Sequence, residues 1–242
     1  MKYTRVPKKT WNTKQVKGGM LIKCPQCGLC YMDNNTVEQK VHIKYHKTAV
    51  EGINVGSRTQ VESFGKTIEK FLISPGEYAL IIEANNESRR TQRIVEQVLS
   101  VADLVLNSQD HAKHWRLKEA RNGKVFVCIY KARVIGICST ETPQIGSWMI
   151  AGSNIIIPNK ELRLPVGIDR IFVIEVFRRR GIATKLLNAV TSNSFYRIKL
   201  KPYQIGWSQP SHFGELLAKK YSGVVHPRSG LILIPVYKQE NI

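Results

Sequence analysis

The stretch "FRRRGIATKLLNAV", Phe177 to Val190, decides how this chain is read. From Ala183 onward, Ala183, Leu186, Leu187 and Val190 recur at helical spacing. Immediately upstream, "RIFVI" (Arg170 to Ile174) is a short, nearly continuous apolar run rich in β-branched residues, the pattern of a buried strand. Arg178, Arg179 and Arg180 therefore crowd the first turn of a helix. A helix N-terminus carries partial positive charge and unpaired N–H groups, and acids are favoured there. Three cations in that place require an anion beside them.

The turn reads R-x-x-G-x-A, with Arg178, Gly181 and Ala183 at its fixed positions. Small residues there let the backbone approach a ligand, and consecutive N–H groups can then cradle a diphosphate. The G-x-x-x-x-G-K-[ST] of a nucleotide-binding P-loop is absent, as is a G-x-G-x-x-G dinucleotide fingerprint. The turn resembles that of acetyltransferases, whose diphosphate belongs to coenzyme A. The alternative is a basic surface turn.

Outward from this point the pattern is mixed. "YALIIEA" (Tyr78 to Ala84) reads as a strand, and Arg89 to Leu106 as a helix with Ile94, Val98, Val101, Ala102 and Val105 on one face. "KVFVCIY" and "RVIGICSTE" flank a short turn and read as an antiparallel hairpin. Further strands are expected near Trp148, at 168–174, at 203–207 and at 231–237, with helices at 182–190 and about 211–221. This order fits an α+β domain with a mixed sheet flanked by helices. Residues 51–70, with Gly, Ser and weak periodicity, read as a linker or loosely packed connection.

Lys and Arg number 37 against 18 acids in 242 residues, a net charge of +19, which favours anionic partners such as nucleic acid, a phosphate-rich cofactor or an acidic protein surface. Residues 1–32 hold seven Lys or Arg and no acid, so the stretch before Met20 reads as a disordered basic arm. No apolar run reaches membrane-spanning length and no signal-peptide core is visible. Five cysteines, three of them within seven residues, fit a metal site in a reduced compartment better than a disulfide framework. The chain reads as soluble and intracellular, with no membrane partner.

"CPQCGLCYMDNNTVEQKVHIKYHK" places Cys24, Cys27, His42 and His46 in a C-x2-C-x14-H-x3-H pattern. Gly28 suits the left-handed turn after the second thiolate. His42 and His46 are i,i+4 on a helix, so both imidazoles face one side. Two thiolates and two imidazoles suit tetrahedral zinc with no open position, a structural site. Cys30 reads as a small buried residue, and Cys128 and Cys138 as core residues of the hairpin. His111, His114 and His226 show no ligand spacing. One finger covers only about 3 bp; it binds phosphate nonspecifically or packs on the larger domain.

Taken in order, the finger, "GSWMI" around Trp148, "GIDRIFV", "RRRGIATKLL", "WSQPSHFGELLAKKYSG" and "HPRSGLILIPVY" resemble the sister-chromatid cohesion acetyltransferases over residues 21 to 238. That family joins one Cys2His2 finger to an acetyltransferase domain of the GNAT fold. With the basic arm at 1–20 and the linker at 51–70 read from composition, the resemblance implies a finger at 21–50 and a GNAT domain at 71–242. It implies an acetyl-CoA-dependent protein-lysine N-acetyltransferase, acting in the nucleus on lysines of the Smc-subunit head of cohesin around DNA replication. Nonspecific contact with DNA through the basic surface accompanies that expectation.

By the same resemblance, acetyl-CoA lies against Ile171, Phe172 and Val173, and its diphosphate meets Arg179, Arg180, Gly181, Ile182, Ala183 and Thr184. Further contacts come from Ser211, His212 and Phe213. Ser211 can cap the last helix and Pro210 ends the strand before it. The alternative for Phe213 is core packing, because Phe213, Leu217 and Tyr221 share an i, i+4, i+8 face.

Acetyl transfer needs a neutral amine, and free lysine has a pKa of about 10.4, so a base or a desolvating environment must remove its proton. The thioester carbonyl needs a donor, expected from a backbone N–H near Val173. Period-2 geometry puts Asp169, Ile171 and Val173 on one strand face. The family has Ser before the Arg of this strand, and acids in the following helix and in an "SDP" turn. This chain has Asp169, Asn188 and Gln209 at those positions. Asp169 is therefore the candidate base, directly or through water, against a salt bridge to a cation such as Arg170. Glu175 and Glu215 stand behind it, and Tyr221 is either a donor to the leaving thiolate or a core residue. The competing functions are a histone-type lysine acetyltransferase and a catalytically silent zinc-finger DNA-binding protein.

Overall fold

A computed structural model describes residues 15–16, 19–106, 123–208 and 210–238. In chain order the elements are β1 (Gln15–Val16), β2 (Gly19–Lys23), β3 (Cys30–Met32), α1 (Thr36–Glu51), β4 (Ile53–Asn54), α2 (Arg58–Glu62), β5 (Gly65–Ser74), β6 (Glu77–Ala84) and α3 (Arg89–Leu106). Then follow β7 (Val125–Tyr130), β8 (Arg133–Glu141), β9 (Gln144–Ile150), β10 (Ile155–Leu164), β11 (Val166–Val173), α4 (Ile182–Asn193), β12 (Ile205–Trp207), α5 (His212–Ser222), β13 (Val224–Val225) and β14 (Ile232–Val236).

The chain divides into two compact units after Val50. In the first, β1, β2 and β3 form a small antiparallel sheet, followed by α1. Asn35 starts the helix by accepting from the N–H groups of Val37 and Glu38 at 3.0 and 3.2 Å, and Glu38 reaches back to Asn35 Nδ2 and the Met32 N–H. This is a capping box in its physical sense, with each partner satisfying a donor of the other. The expected basic arm begins in residues outside the described set, but Gln15–Val16 and Gly19–Met20 already belong to strands.

The second unit is a mixed sheet in the order β10-β9-β14-β12-β11-β8-β7-β6-β5, with β13 on β14 and β4 on β8. Most pairs are antiparallel; β11 runs parallel to β12, and β12 to β14. Gly136 shares a face with Val173 and with Ile182 of α4, whose methyl group would lie 3.2 Å from a Cβ added there. Arg170, an odd number of residues from Val173, points to the opposite face and bonds Asp103 of α3. Helix α5 lies with α4, through Thr191 and the Tyr221 hydroxyl, and accepts the Trp207 indole N–H at Ser222 Oγ, 2.7 Å away. The sheet is thus sandwiched between α3 on one side and α4 and α5 on the other. On α3, Ile94, Val98 and Ala102 are buried as the spacing predicts, joined by Val95 and Leu99; each aliphatic side chain contributes about 1.5–3 kcal/mol.

Residues 51–70 are not a linker. They form β4, α2 and the first half of β5, with Val55 and Phe64 fully buried and Arg90 Nη2 donating to the Val55 carbonyl at 2.5 Å. The elements are too short to show periodicity, so a stretch with two core anchors looks unstructured. Strand β10 also went unread, because Pro158, Asn159 and Lys160 interrupt it and a bulge separates Ile156 from Glu161. No described helix is long and apolar enough to cross a membrane.

Candidate active site and metal cluster

The site starts where two parallel strands part. β12 pairs with β11 only from Val166 to Ile168. Ser208 closes that stretch: its N–H donates to the Ile168 carbonyl at 3.1 Å and its Oγ to the Asp169 carbonyl at 3.0 Å. Pro210 then follows, which has no N–H to continue the ladder. Beyond Asp169 the edge of β11 has no strand neighbour on this side among the described residues.

A bulge in β11 decides what that edge offers. Ile168 pairs with Thr140 and Arg170 with Ser139, leaving Asp169 as the extra residue. The Ile168 carbonyl faces β12, so in a regular strand Arg170, Phe172 and Ile174 would face it too. Instead Ile174 donates to the Ile135 carbonyl on the β8 side at 3.0 Å. The extra residue has reversed the alternation, and the N–H groups of Ile171 and Val173 face the opening. Phe172 is buried, so its side chain packs in the core.

Beside the opening lies the arginine turn. Glu175–Phe177 form one 3-10 turn, Arg178 is extended, and Arg179 and Gly181 both adopt left-handed backbone, with φ of +62° and +77°. Gly181 is the N-cap of α4 and no side chain caps it among the described residues. The first helical bond runs from Lys185 N–H to the Gly181 carbonyl at 3.0 Å. The N–H groups of Ile182, Ala183 and Thr184 precede it and lack helical acceptors. A Cβ at Gly181 would meet no atom within 4 Å, so the space before these donors is open.

The three arginines divide. Arg178 Nε donates to the Val173 carbonyl at 2.9 Å and its guanidinium lies 5.9 Å from the Phe172 ring. Arg180 lies 5.5 Å from the Phe177 ring, which meets Tyr130 edge-on at 5.7 Å. Arg179 is exposed.

Asp169 is engaged on both oxygens. Oδ1 accepts from Arg170 Nη1 at 3.0 Å and Oδ2 from Ser139 Oγ at 2.9 Å. Arg170 also pairs through Nε with the buried Asp103 at 2.8 Å. The expected salt bridge to Arg170 is therefore present. The bulge also overturns the shared face: Asp169 and Arg170 together oppose Ser139, and simple alternation with Ile171 and Val173 does not carry across. Ser139 and Asp103 were invisible in the sequence, 30 and 66 residues away with no motif linking them to Asp169.

At the start of α5, Ser211 Oγ accepts from the Gly214 N–H at 3.2 Å, the cap the sequence implied. Phe213 is 70% exposed, so core packing does not account for it; its ring lies 5.6 Å from that of His212. Tyr221 is half-buried, and its hydroxyl donates to Asn188 Oδ1 at 2.9 Å; burial pushes its pKa up. Glu215 accepts from the Gly152 N–H and Glu175 is exposed on its turn. Gln209, His111 and His114 lie outside the described residues.

In the first unit, Cys24, Cys27, His42 and His46 bring one ligand atom each within 4.8 Å of one another. Cys24 Sγ is 3.3 Å from His46 Nδ1, and Gly28 takes the left-handed turn with φ of +75°. Tyr31 stacks on His42 at 4.2 Å. Among the described residues, His42 Nε2 is buried without a hydrogen-bond partner, and burial together with His46 pushes its pKa down, favouring the neutral ligand form. An orphaned imidazole nitrogen among two thiols and a second imidazole fits a tetrahedral divalent cation. Cys30 is exposed on β3, contrary to the expected burial, while Cys128 and Cys138 are buried in the core.

A mixed sheet with parting parallel strands beside an uncapped, glycine-opened helix defines an acetyltransferase of the GNAT type. Residues 163–228 match the model of the ESCO1/2 acetyltransferase family. The N-acetyltransferase ECO1 of Debaryomyces hansenii is 34% identical over 90% of this chain and 82% of its own length. That of Saccharomyces cerevisiae is 27% identical over 91% and 90%. The solved xEco2 acetyltransferase domain bound to a K105-CoA conjugate superposes with a TM-score of 0.58 at 20% identity, covering 73% of this chain and 99% of that domain, a likeness of fold. The chain belongs to the ECO1 family of N-acetyltransferases and is an acetyl-CoA-dependent acetyltransferase.

Proposed function

We propose that this protein acetylates lysines on the Smc-subunit head of cohesin, establishing sister-chromatid cohesion during DNA replication in the nucleus. Membership of the ECO1 family supports the reading, and one observation carries its chemistry: the N–H groups of Ile171 and Val173 face an opening beside the uncapped start of α4. In the proposal, acetyl-CoA supplies the activated acetyl group and lies along Ile171, Phe172 and Val173. Arg179, Arg180, Gly181, Ile182, Ala183 and Thr184 hold the diphosphate, chiefly by backbone N–H groups. Ser211, His212 and Phe213 flank it from α5.

The Val173 N–H donates to the thioester carbonyl oxygen, where negative charge develops. Asp169 takes the proton of the incoming ammonium, directly or through water. It stands at the residue where the strands part, and Ser139 and Arg170 hold its carboxylate in one orientation. Cys24, Cys27, His42 and His46 hold one structural zinc, which supplies folding energy to its unit and takes no part in transfer. The basic surface makes nonspecific contact with DNA.

Purified cohesin heads and nucleosomes, each incubated with the protein and acetyl-CoA, separate this reading from a histone-type enzyme. Mass spectrometry is expected to find acetyl-lysine on the cohesin head, with nucleosomes modified far less. Preferential modification of nucleosomes would overturn the assignment.

A further inference from the structure

The segment joining α4 to β12, "SFYRIKLKPYQ" from Ser194 to Gln204, is held at few points and displays the rest. Phe195 packs on the core and Leu200 is buried, with its N–H donating to the Thr191 carbonyl at 2.8 Å. Between these anchors Phe195 and Ile198 form an isolated bridge. The bridge puts Tyr196 and Arg197 at the tip of a tight turn, where Arg197 takes a left-handed backbone with φ of +58°. That conformation costs a non-glycine residue on the order of 1 kcal/mol.

What the turn displays is aromatic and cationic. Tyr196 is 84% exposed and Tyr203 43%. Arg197 lies 5.1 Å from the Tyr196 ring and Lys201 5.8 Å from the Tyr203 ring, while Lys199 stands exposed between them. Between Glu175 and Glu215 the chain carries seven Lys or Arg and no acid, so no nearby residue of this stretch neutralises them. The arginine turn belongs to the same acid-free stretch but lies at the opposite end of the twelve-residue α4, about 18 Å away at 1.5 Å per residue.

We propose that this segment binds an unpaired nucleic-acid strand, its cations meeting phosphates and its two tyrosines stacking on bases. The chemistry selects this partner. Phosphodiesters match the exposed cations Arg197, Lys199 and Lys201 of this segment, and a base offers each exposed phenol ring a flat partner to stack on. A duplex keeps its base faces stacked inside, and an acidic polypeptide makes no use of the rings. The inference rests on the DNA-contact part of the proposed function and locates that contact away from the acetyl-CoA seat.

The test uses the full chain and fluorescence anisotropy with a short mixed-sequence oligonucleotide, single-stranded or annealed, over a range of salt. Two variants are compared with the wild type: Tyr196→Ala with Tyr203→Ala, and Arg197→Gln with Lys199→Gln and Lys201→Gln. The tyrosine pair is expected to lose at least roughly 10-fold in single-strand affinity and little on duplex. The cation triple is expected to flatten the logarithmic salt dependence for the single strand by about 2. Acetyl-CoA affinity and melting temperature are expected to stay at wild-type values in both. If the wild type binds neither oligonucleotide, the DNA-contact reading itself falls. If it binds and both variants bind equally well, only the assignment to this segment falls. Equal loss of duplex and single-strand affinity in the tyrosine pair, or tighter binding of polyglutamate than of the single strand, would overturn the choice of partner.

Discussion

Arg178 donates through Nε to the carbonyl of Val173, 2.9 Å away, and so fastens the arginine turn to the last residue of β11. The first of the three arginines thus secures the wall of the opening, and the two that follow are left beside the uncapped helix. Arg178→Ala is expected to cost about 1 kcal/mol, a fall in melting temperature of about 2–4 °C for a unit of this size. Arg179→Ala is expected to weaken acetyl-CoA binding with no such fall, because its side chain makes no hydrogen bond among the described residues comparable to that of Arg178, and the backbone donors remain. Thermal melts and binding isotherms on the two variants check the division; the same change in both would refute it.

Asp169 is read as the base although it is ion-paired with Arg170. Asp169→Asn keeps shape and most hydrogen bonding while removing proton acceptance. Turnover is expected to fall by roughly 10²- to 10⁴-fold, with acetyl-CoA affinity nearly unchanged and only a modest loss of stability from the weakened pair with Arg170. A purely structural pair predicts lower stability and near-normal turnover. By contrast Asp103→Asn, which removes one carboxylate from a guanidinium only 9% exposed, is expected to cost about 3 kcal/mol.

Metal analysis of protein purified without chelator is expected to find one zinc per chain. His46→Ala should release it and unfold the first unit, since metal binding supplies much of the folding energy of such a module. Circular dichroism and proteolysis should show the second unit intact. Zinc retained at full occupancy by the variant would exclude the four-ligand site.

The sequence made some of this legible and not the rest. The cysteines and histidines were readable because metal geometry fixes their spacing. The strand before the arginines and the helix after them were readable because a buried strand and an amphipathic helix follow each other without a gap. Helix α3 was readable from Ile94, Val98 and Ala102. The bulge at Asp169 was not, since it depends on the register against Ser139 and Thr140 of another strand. That one extra residue altered both the face assigned to Asp169 and the direction of the Ile171 and Val173 N–H groups. Val55 and Phe64 were missed for a related reason: a core anchor just after a two-residue strand or a five-residue helix has no period to reveal it.

The claim that decides the account is that acetyl-CoA sits with its diphosphate on the N–H groups after Gly181. Calorimetric titration of acetyl-CoA into the Gly181→Asp variant tests it most directly. The aspartate adds a carboxylate to the open space before those N–H groups, at a backbone conformation with φ of +77° that side chains resist. Binding is expected to be lost while the first unit is unaffected, with melting temperature confirming a folded second unit. Near-native affinity in a folded Gly181→Asp protein would contradict the cradle, and with it the reason three arginines stand where a helix begins.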